Sequence, residues 1–186
     1  MRVKNLAGRQ RIDWIRLSRS ENVGPRTFSN LLDMFGTATE ALKNIPQMVN
    51  RAGGRQIKIA SATEIEREIT RCESYGAQLV LACDEDYPSR LRHIIDAPPV
   101  LTTKGDNALF NKKSIAIVGA RNASANGCNF TKVLARDLAA AGIVVTSGLA
   151  KGIDTYAHHG SLQHGTIAVI AGGIDHIYPR ENEGLY

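Results

Sequence analysis

Three short apolar runs, the first two each followed by a switch to helical spacing, organise the second half of the chain. The first, Ser114-Ile-Ala-Ile-Val118, breaks at Gly119 into a polar stretch that ends at Gly127. Phe130, Val133, Leu134, Leu138 and Ala141 then recur at three-and-four spacing, which predicts a helix with one buried face that stops at Gly142. The second run, Ile143-Val-Val-Thr146, is β-branched and bounded by glycines, and a shorter helix is expected from Thr155 to Gln163. The third, Thr166-Ile-Ala-Val-Ile170, closes at Gly172 and Gly173. Continuously apolar strands that alternate with helices require a parallel sheet covered on both faces. The predicted fold class is α/β, with a Rossmann-like parallel sheet core.

The first third is patterned for helices alone. Residues 11–20 place Ile12, Ile15 and Arg19 on one face with Trp14 and Leu17 beside it, and Phe28, Leu31, Leu32 and Phe35 form the apolar side of a second helix. The pair, joined through Asn22, Val23 and Gly24, resembles a helix-hairpin-helix unit, whose glycine turn offers backbone N–H groups to a nucleic-acid phosphate. Asn22 stands where the usual hairpin has its first glycine; it tolerates a left-handed conformation but adds bulk. A purely structural helical pair is therefore an equal reading. Arg51 to Arg55 reads as a flexible loop. Ser61-Ala-Thr-Glu64 is a capping box opening a helix that turns Ile65, Ile69 and Cys72 inward and ends near Gly76. Gln78 to Ala82, and the residues after Pro99, predict strands that extend the sheet at one edge. The expected organisation is a small all-helical domain over residues 1–72 and the Rossmann-like domain over residues 73–186.

Open parallel sheets bind ligands beyond the carboxyl ends of their strands, where loops meet helix N-termini. Two loops there are rich in donors. The first offers Gly119, Arg121, Asn122, Ser124 and Asn126; the second offers Ser147, Gly148, Lys151 and Gly152. Phosphate is the natural guest of both. Neither loop spells G-x-G-x-x-G, and Thr146-Ser147 replaces the acidic residue that would take a ribose hydroxyl, so no dinucleotide cofactor is expected. Arg121 reads as a phosphate ligand; Lys151 reads equally as a ligand or a solvated cation. Asp154 complements a helix dipole. His158 and His159 point in different directions, with no carboxylate or cysteine at ligand spacing, so His158 is read as a hydrogen-bonded structural residue and no metal is expected. Ser147 lacks the context of a nucleophile. Tyr178, Pro179 and Asn182 are read as shaping the loop after the third strand, and no catalytic residue is assigned.

Charge adds a partner class. Residues 1–72 carry 13 Lys and Arg against 7 acids, while residues 73–186 carry 10 against 11. A basic helical domain points to a polyanion, or to a solvated arginine-rich face. Cys72, Cys83 and Cys128 are scattered and odd in number, as in a reduced cytoplasmic protein. No apolar run approaches the ~18 residues of a membrane span, and the first residues lack a signal-peptide core.

Four blocks, in order and spacing, resemble the DprA (Smf) family of DNA-processing proteins: Ala116-Ile-Val-Gly-Ala-Arg121; Ser147-Gly-Leu-Ala-Lys-Gly-Ile-Asp154 with Ala157 and His158; Ile167-Ala-Val-Ile-Ala-Gly-Gly173; and Tyr178-Pro179 with Asn182. Asp86-Tyr87-Pro88, Leu91, Ile95-Asp96 and Pro98-Pro99 also match, so the resemblance covers residues 10–186. It implies a non-catalytic protein that binds incoming single-stranded DNA during natural transformation, shields it from nucleases and helps to load the RecA recombinase. It further implies a homodimer through the Rossmann domain and a SAM-like description of the helix-hairpin-helix domain. The strand-end loops would then hold successive phosphates, with salt-dependent and sequence-tolerant affinity. Aromatic residues, which would stack on bases, make up 5% of the chain, and neither loop contains one. Because the family continues through a glycine- and arginine-rich section and often a winged helix, the chain is expected to be C-terminally truncated, with the strand from Ile167 to Ile170 incompletely covered. Two rivals remain. One is a nucleoside-monophosphate hydrolase of the lysine-decarboxylase-like Rossmann group, whose P-G-G-x-G-T-x-x-E block is replaced here by Ala171-Gly-Gly-Ile-Asp-His-Ile-Tyr-Pro179, without the glutamate. The other is a sensor of a free nucleotide.

Overall fold

The computed structural model describes residues 6–51 and 57–186, and the chain divides into two compact units between Gly105 and Asp106. The first unit contains α1 (Gly8–Arg19), α2 (Pro25–Phe35), α3 (Ala38–Arg51) and α4 (Ala62–Ser74). Between α1 and α2, Asn22 adopts a left-handed φ of 60°, and Pro25 starts α2 where its missing N–H costs nothing. The capping box forms as the sequence requires: Glu64 N–H donates to Ser61 Oγ at 3.2 Å, and Ser61 N–H donates to the Glu64 carboxylate at 2.8 Å. Apart from Arg51, which ends α3, the expected loop from Arg51 to Arg55 lies outside the described residues.

The helices close over Trp14, Ile15, Leu17, Phe28, Leu31 and Ile45, with Trp14 edge-on to Phe28 at 4.9 Å. Asp13 is buried among them. Its carboxylate is satisfied by Arg16 at 2.8 Å and by the Thr39 hydroxyl at 2.8 Å, which is what makes a buried charge tolerable.

Strands β1 (Ala77–Leu81) and β2 (Val100–Lys104) pair antiparallel with each other, Leu79 opposite Thr102. They do not extend the parallel sheet as expected. Leu79, Val80, Leu81 and Val100 instead complete the core of the helical unit. Arg11 ties α1 to this hairpin, donating to Asp84 at 2.9 and 3.0 Å and to the Leu79 carbonyl, while Trp14 Nε1 donates to the Pro99 carbonyl at 2.9 Å. The packing therefore divides after Gly105, beyond the expected change at residue 72, because the helices need the hairpin's apolar side to bury their own.

The second unit contains β3 (Ser114–Ala116), α5 (Ala125–Ala140), β4 (Val144–Ser147), α6 (Ile153–Ser161) and β5 (Thr166–Ala168). The strands are parallel in the order β3-β4-β5, with Ile115 beside Val145 and Val145 beside Thr166. Right-handed crossovers between strands that are neighbours in sequence put both helices on one face. The expected cover on both faces is thus present on one, and Ile115, Val118 and Val169 stay exposed.

Helix α5 also presents a different side from the one expected. Phe130 is 67% exposed, and Val133 and Leu134 are open too, whereas Cys128, Thr131, Ala135 and Ala139 are buried. The cause is the crossing with α6. A Cβ at Gly160 would stand 2.3 Å from the Lys132 carbonyl oxygen and 2.9 Å from the Ala135 methyl, a spacing only small residues permit. The α5 stop at Gly142 is as expected, with a φ of 79°.

Gly160→Ala tests this crossing. Overpacking two backbones should destabilise the second unit by about 1–3 kcal/mol in urea unfolding; an unchanged midpoint would show that α5 and α6 have room to part.

Candidate functional site

The carboxyl ends of β3 and β4 deliver two loops that are fastened to each other. Gly152 has a φ of 75°, and a Cβ there would lie 2.3 Å from the Ala120 carbonyl oxygen and 2.6 Å from that of Arg121. Only glycine fits. The next residue, Ile153, donates its N–H to the Ala120 carbonyl at 3.2 Å, and its side chain fills the space that a Cβ on Gly119 would need.

Inside the second loop the polar groups satisfy one another. Ser147 is buried, and its hydroxyl donates to the Ile117 carbonyl at 2.6 Å. Asp154 is buried beneath the loop, where Oδ2 accepts the N–H of Gly148 at 3.1 Å and of Ala150 at 3.4 Å. Asn182, also buried, donates from Nδ2 to the carbonyls of Leu149 at 2.9 Å and Ala150 at 3.3 Å, and the Thr155 hydroxyl donates to Ala150 at 2.8 Å. The peptide around Leu149, itself left-handed at a φ of 56°, is gripped from both its N–H and its carbonyl sides.

Lys151 is the cation this frame leaves at the surface. Its ammonium meets Glu181 Oε1 at 2.5 Å. The hydrogen bond and charge of Glu181 raise the Lys151 pKa, and the same hydrogen bond lowers that of Glu181. In the first loop Ser124 caps α5, its Oγ accepting the Gly127 N–H at 3.1 Å. Arg121 and Asn122 are exposed, and among the described residues neither side chain has a hydrogen-bond or ion-pair partner.

His158 is buried on α6. The single hydrogen of the Thr166 hydroxyl goes to the Val145 carbonyl at 2.7 Å, so Thr166 Oγ1 accepts from His158 at 2.9 Å, and Nδ1 carries the proton of a neutral ring. Among the described residues Nε2 has no partner of normal geometry; it lies beside the Ser147 backbone. Burial pushes the pKa down, against the pull of Asp154.

The positions expected to meet phosphate thus separate into two groups. Gly119, Ser124, Ser147, Gly148 and Gly152 are used within and between the loops, while Arg121, Asn122 and Lys151 face outward. Asn182 clamps the loop after the second strand of this sheet, not the one after the third. Asp154, expected at the end of the second loop to complement a helix dipole, accepts two N–H groups of that loop, whereas Glu181 has no local signal because it reaches the loop across 30 residues. In the other unit, the N–H of Glu21 in the α1–α2 turn donates to the Lys58 carbonyl at 2.9 Å, and its carboxylate accepts from Lys58 N–H at 3.2 Å. A carboxylate beside that turn repels phosphate. Among the described residues no three or more His, Cys, Asp or Glu side chains are grouped to hold a metal, and no helix is long and apolar enough to cross a membrane.

A family model described as DNA recombination-mediator protein A matches residues 78–186, and one described as a DprA-like N-terminal HHH domain matches residues 8–70. Residues 71–77, from the end of α4 to the start of β1, lie between the two matches. The chain is 40% identical over 122 residues to the DNA processing protein DprA of Bacillus subtilis, covering 64% of this chain and 41% of that protein. It spans less than half the length of the curated relatives it matches. Among solved structures, that of DNA processing protein A from Streptococcus pneumoniae aligns over all of this chain and 64% of its own, at 29% identity and a TM-score of 0.68. A second, of DNA processing protein A from Helicobacter pylori, concerns that protein's single-stranded DNA binding mode; it covers 59% of this chain and 49% of its own, at 31% identity and a TM-score of 0.53.

Two substitutions test the frame. Asp154→Ala leaves the N–H groups of Gly148 and Ala150 without their acceptor and should cost about 1–3 kcal/mol of unfolding free energy, with faster amide exchange at both. Stability and exchange like those of the parent would contradict the clamp. For His158, the unfolded chain takes up its proton near the ordinary value of 6.5, and the folded chain only at lower pH. The stability it contributes is complete above 6.5 and is lost as pH falls from there through the folded value. His158→Gln should flatten this acid slope in urea titrations; an undiminished slope would assign it to other groups.

Proposed function

The chain belongs to the DNA recombination-mediator protein A family, and from that premise we propose that it binds single-stranded DNA by its phosphates, across the paired loops that follow β3 and β4. The observation that carries this reading is the exposed Arg121, which with Asn122 has no partner among the described residues, on a rim whose Ser124, Ser147 and Asp154 are engaged in internal hydrogen bonds. Its guanidinium can hold two phosphate oxygens at once, and Asn122 adds a neutral donor beside it. Lys151 contributes a point charge. A backbone fixed beforehand by Asp154 and Asn182 loses little entropy on binding. Affinity of this kind is tolerant of sequence and steep in salt.

The finer role follows the family: shielding of incoming strands, loading of RecA recombinase during natural transformation, and action as a cytoplasmic homodimer. The Helicobacter pylori relative, whose structure concerns single-stranded DNA binding, supports the ligand. No bond-making step is assigned. The engagement of Asp154 and His158 in internal hydrogen bonds favours binding over nucleotide hydrolysis.

Fluorescence anisotropy with labelled oligo-dT should show binding that prefers single over double strands and weakens steeply with salt. Arg121→Ala should weaken it by about 1–3 kcal/mol and flatten the salt slope by roughly one counterion, with thermal stability hardly changed. A large fall in melting temperature with affinity per folded molecule unaltered would make Arg121 a tether of the loop. Thymidine monophosphate competing as well as the oligonucleotide would favour the sensor of a free nucleotide.

A further inference from the structure

Building on that reading, we propose that Glu181 is an affinity-determining residue of the same site: an internal carboxylate that occupies Lys151 in place of phosphate and that a DNA strand must displace. The Lys151 and Glu181 side chains are 53% and 65% exposed, although their charged atoms meet at 2.5 Å. Ion pairs this open contribute little to folding. Stability therefore does not account for the pair, and the ammonium stays within reach of a ligand.

Glu181 is not carried on a free arm. It lies in the short turn Arg180–Asn182, between the buried Pro179 and the buried Asn182. Asn182 is bonded to Leu149, Ala150 and Thr155, so the residue next to Glu181 is locked onto the two residues before Lys151. The carboxylate is thereby held at a high effective concentration beside the ammonium.

No other side chain in the second loop competes for that role. Asp154 takes the N–H groups of Gly148 and Ala150, and Ile117 takes the Ser147 hydroxyl. Whatever holds Lys151 governs what the side chains of this loop contribute to an anion. Carboxylate and phosphate are both oxyanions, and exchange between them needs only a swing of the lysine. Arg121, across the Gly152 seam, has no such internal partner among the described residues. A strand already held at Arg121 can displace Glu181 with a second phosphate, whereas a single phosphate has no such foothold.

The test uses the whole chain, oligo-dT and a series of salt concentrations, with Glu181→Gln, Lys151→Ala and the double variant. Glu181→Gln should bind roughly two- to fivefold more tightly at low salt, with a salt slope steeper by about one counterion because no carboxylate is released. The gain should vanish in the Lys151→Ala background, which separates competition for the lysine from a general loss of negative charge. A gain of equal size in that background, no gain, or weaker binding would each overturn the inference while leaving the binding function in place. If neither the parent nor Glu181→Gln binds oligo-dT at low salt, the proposed function fails and the inference falls with it.

Discussion

The close approach of Gly152 to the carbonyls of Ala120 and Arg121 is the constraint on which the rest of the site depends. It brings two separate strand-to-helix loops into backbone contact and so fixes where residues 121 and 151 emerge. A side chain at position 152 would meet main-chain oxygens, which cannot move aside as the end of a flexible side chain would. Asp154 and Asn182 complete the arrangement, one taking the N–H groups and the other the carbonyls around Leu149. Such a frame resembles a small core made of polar atoms, held rigid by the hydrogen bonds among them. The groups left over at its rim are charged or strongly polar and solvent-facing, which suits a mobile polyanion better than an enclosed small molecule.

Local features were legible in the sequence. Asn22 takes the left-handed turn, Gly142 ends α5, and Ser61 with Glu64 forms the capping box, since each depends on residues within a few positions. Choices of partner were not legible. Phe130, Val133 and Leu134 have the spacing of a buried face, yet Gly160 calls small residues to the crossing and turns that face outward. The apolar strand around Leu79 looks like an edge of the parallel sheet, but the helices above Trp14 claim it. In the site, the blocks around Arg121 and Lys151 stood out as loops rich in donors. That Ser147 and Gly148 are used internally could not be read, because Ile117 lies 30 residues away and Asp154 must fold back to reach its partners.

The helical unit has another logic. Its turn between α1 and α2 keeps the outline of a phosphate-binding hairpin, but Glu21 pairs with Lys58 on both its N–H and its carboxylate. Of the readings open from sequence, the structural pair gains support from this contact. The basic excess of the first 72 residues is partly absorbed as well: Arg11, Arg16 and Arg19 hold Asp84, Asp13 and Glu68. Net charge alone therefore does not locate a DNA-binding surface in this unit.

The proposed placement of DNA on the paired loops is tested most directly by following backbone amides by NMR while oligo-dT is added. Shifts should concentrate at residues 119–123 and 150–152, with the α1–α2 turn undisturbed. Shifts confined to residues 20–26, with the loops after β3 and β4 unchanged, would contradict it and move the interface to the helical unit.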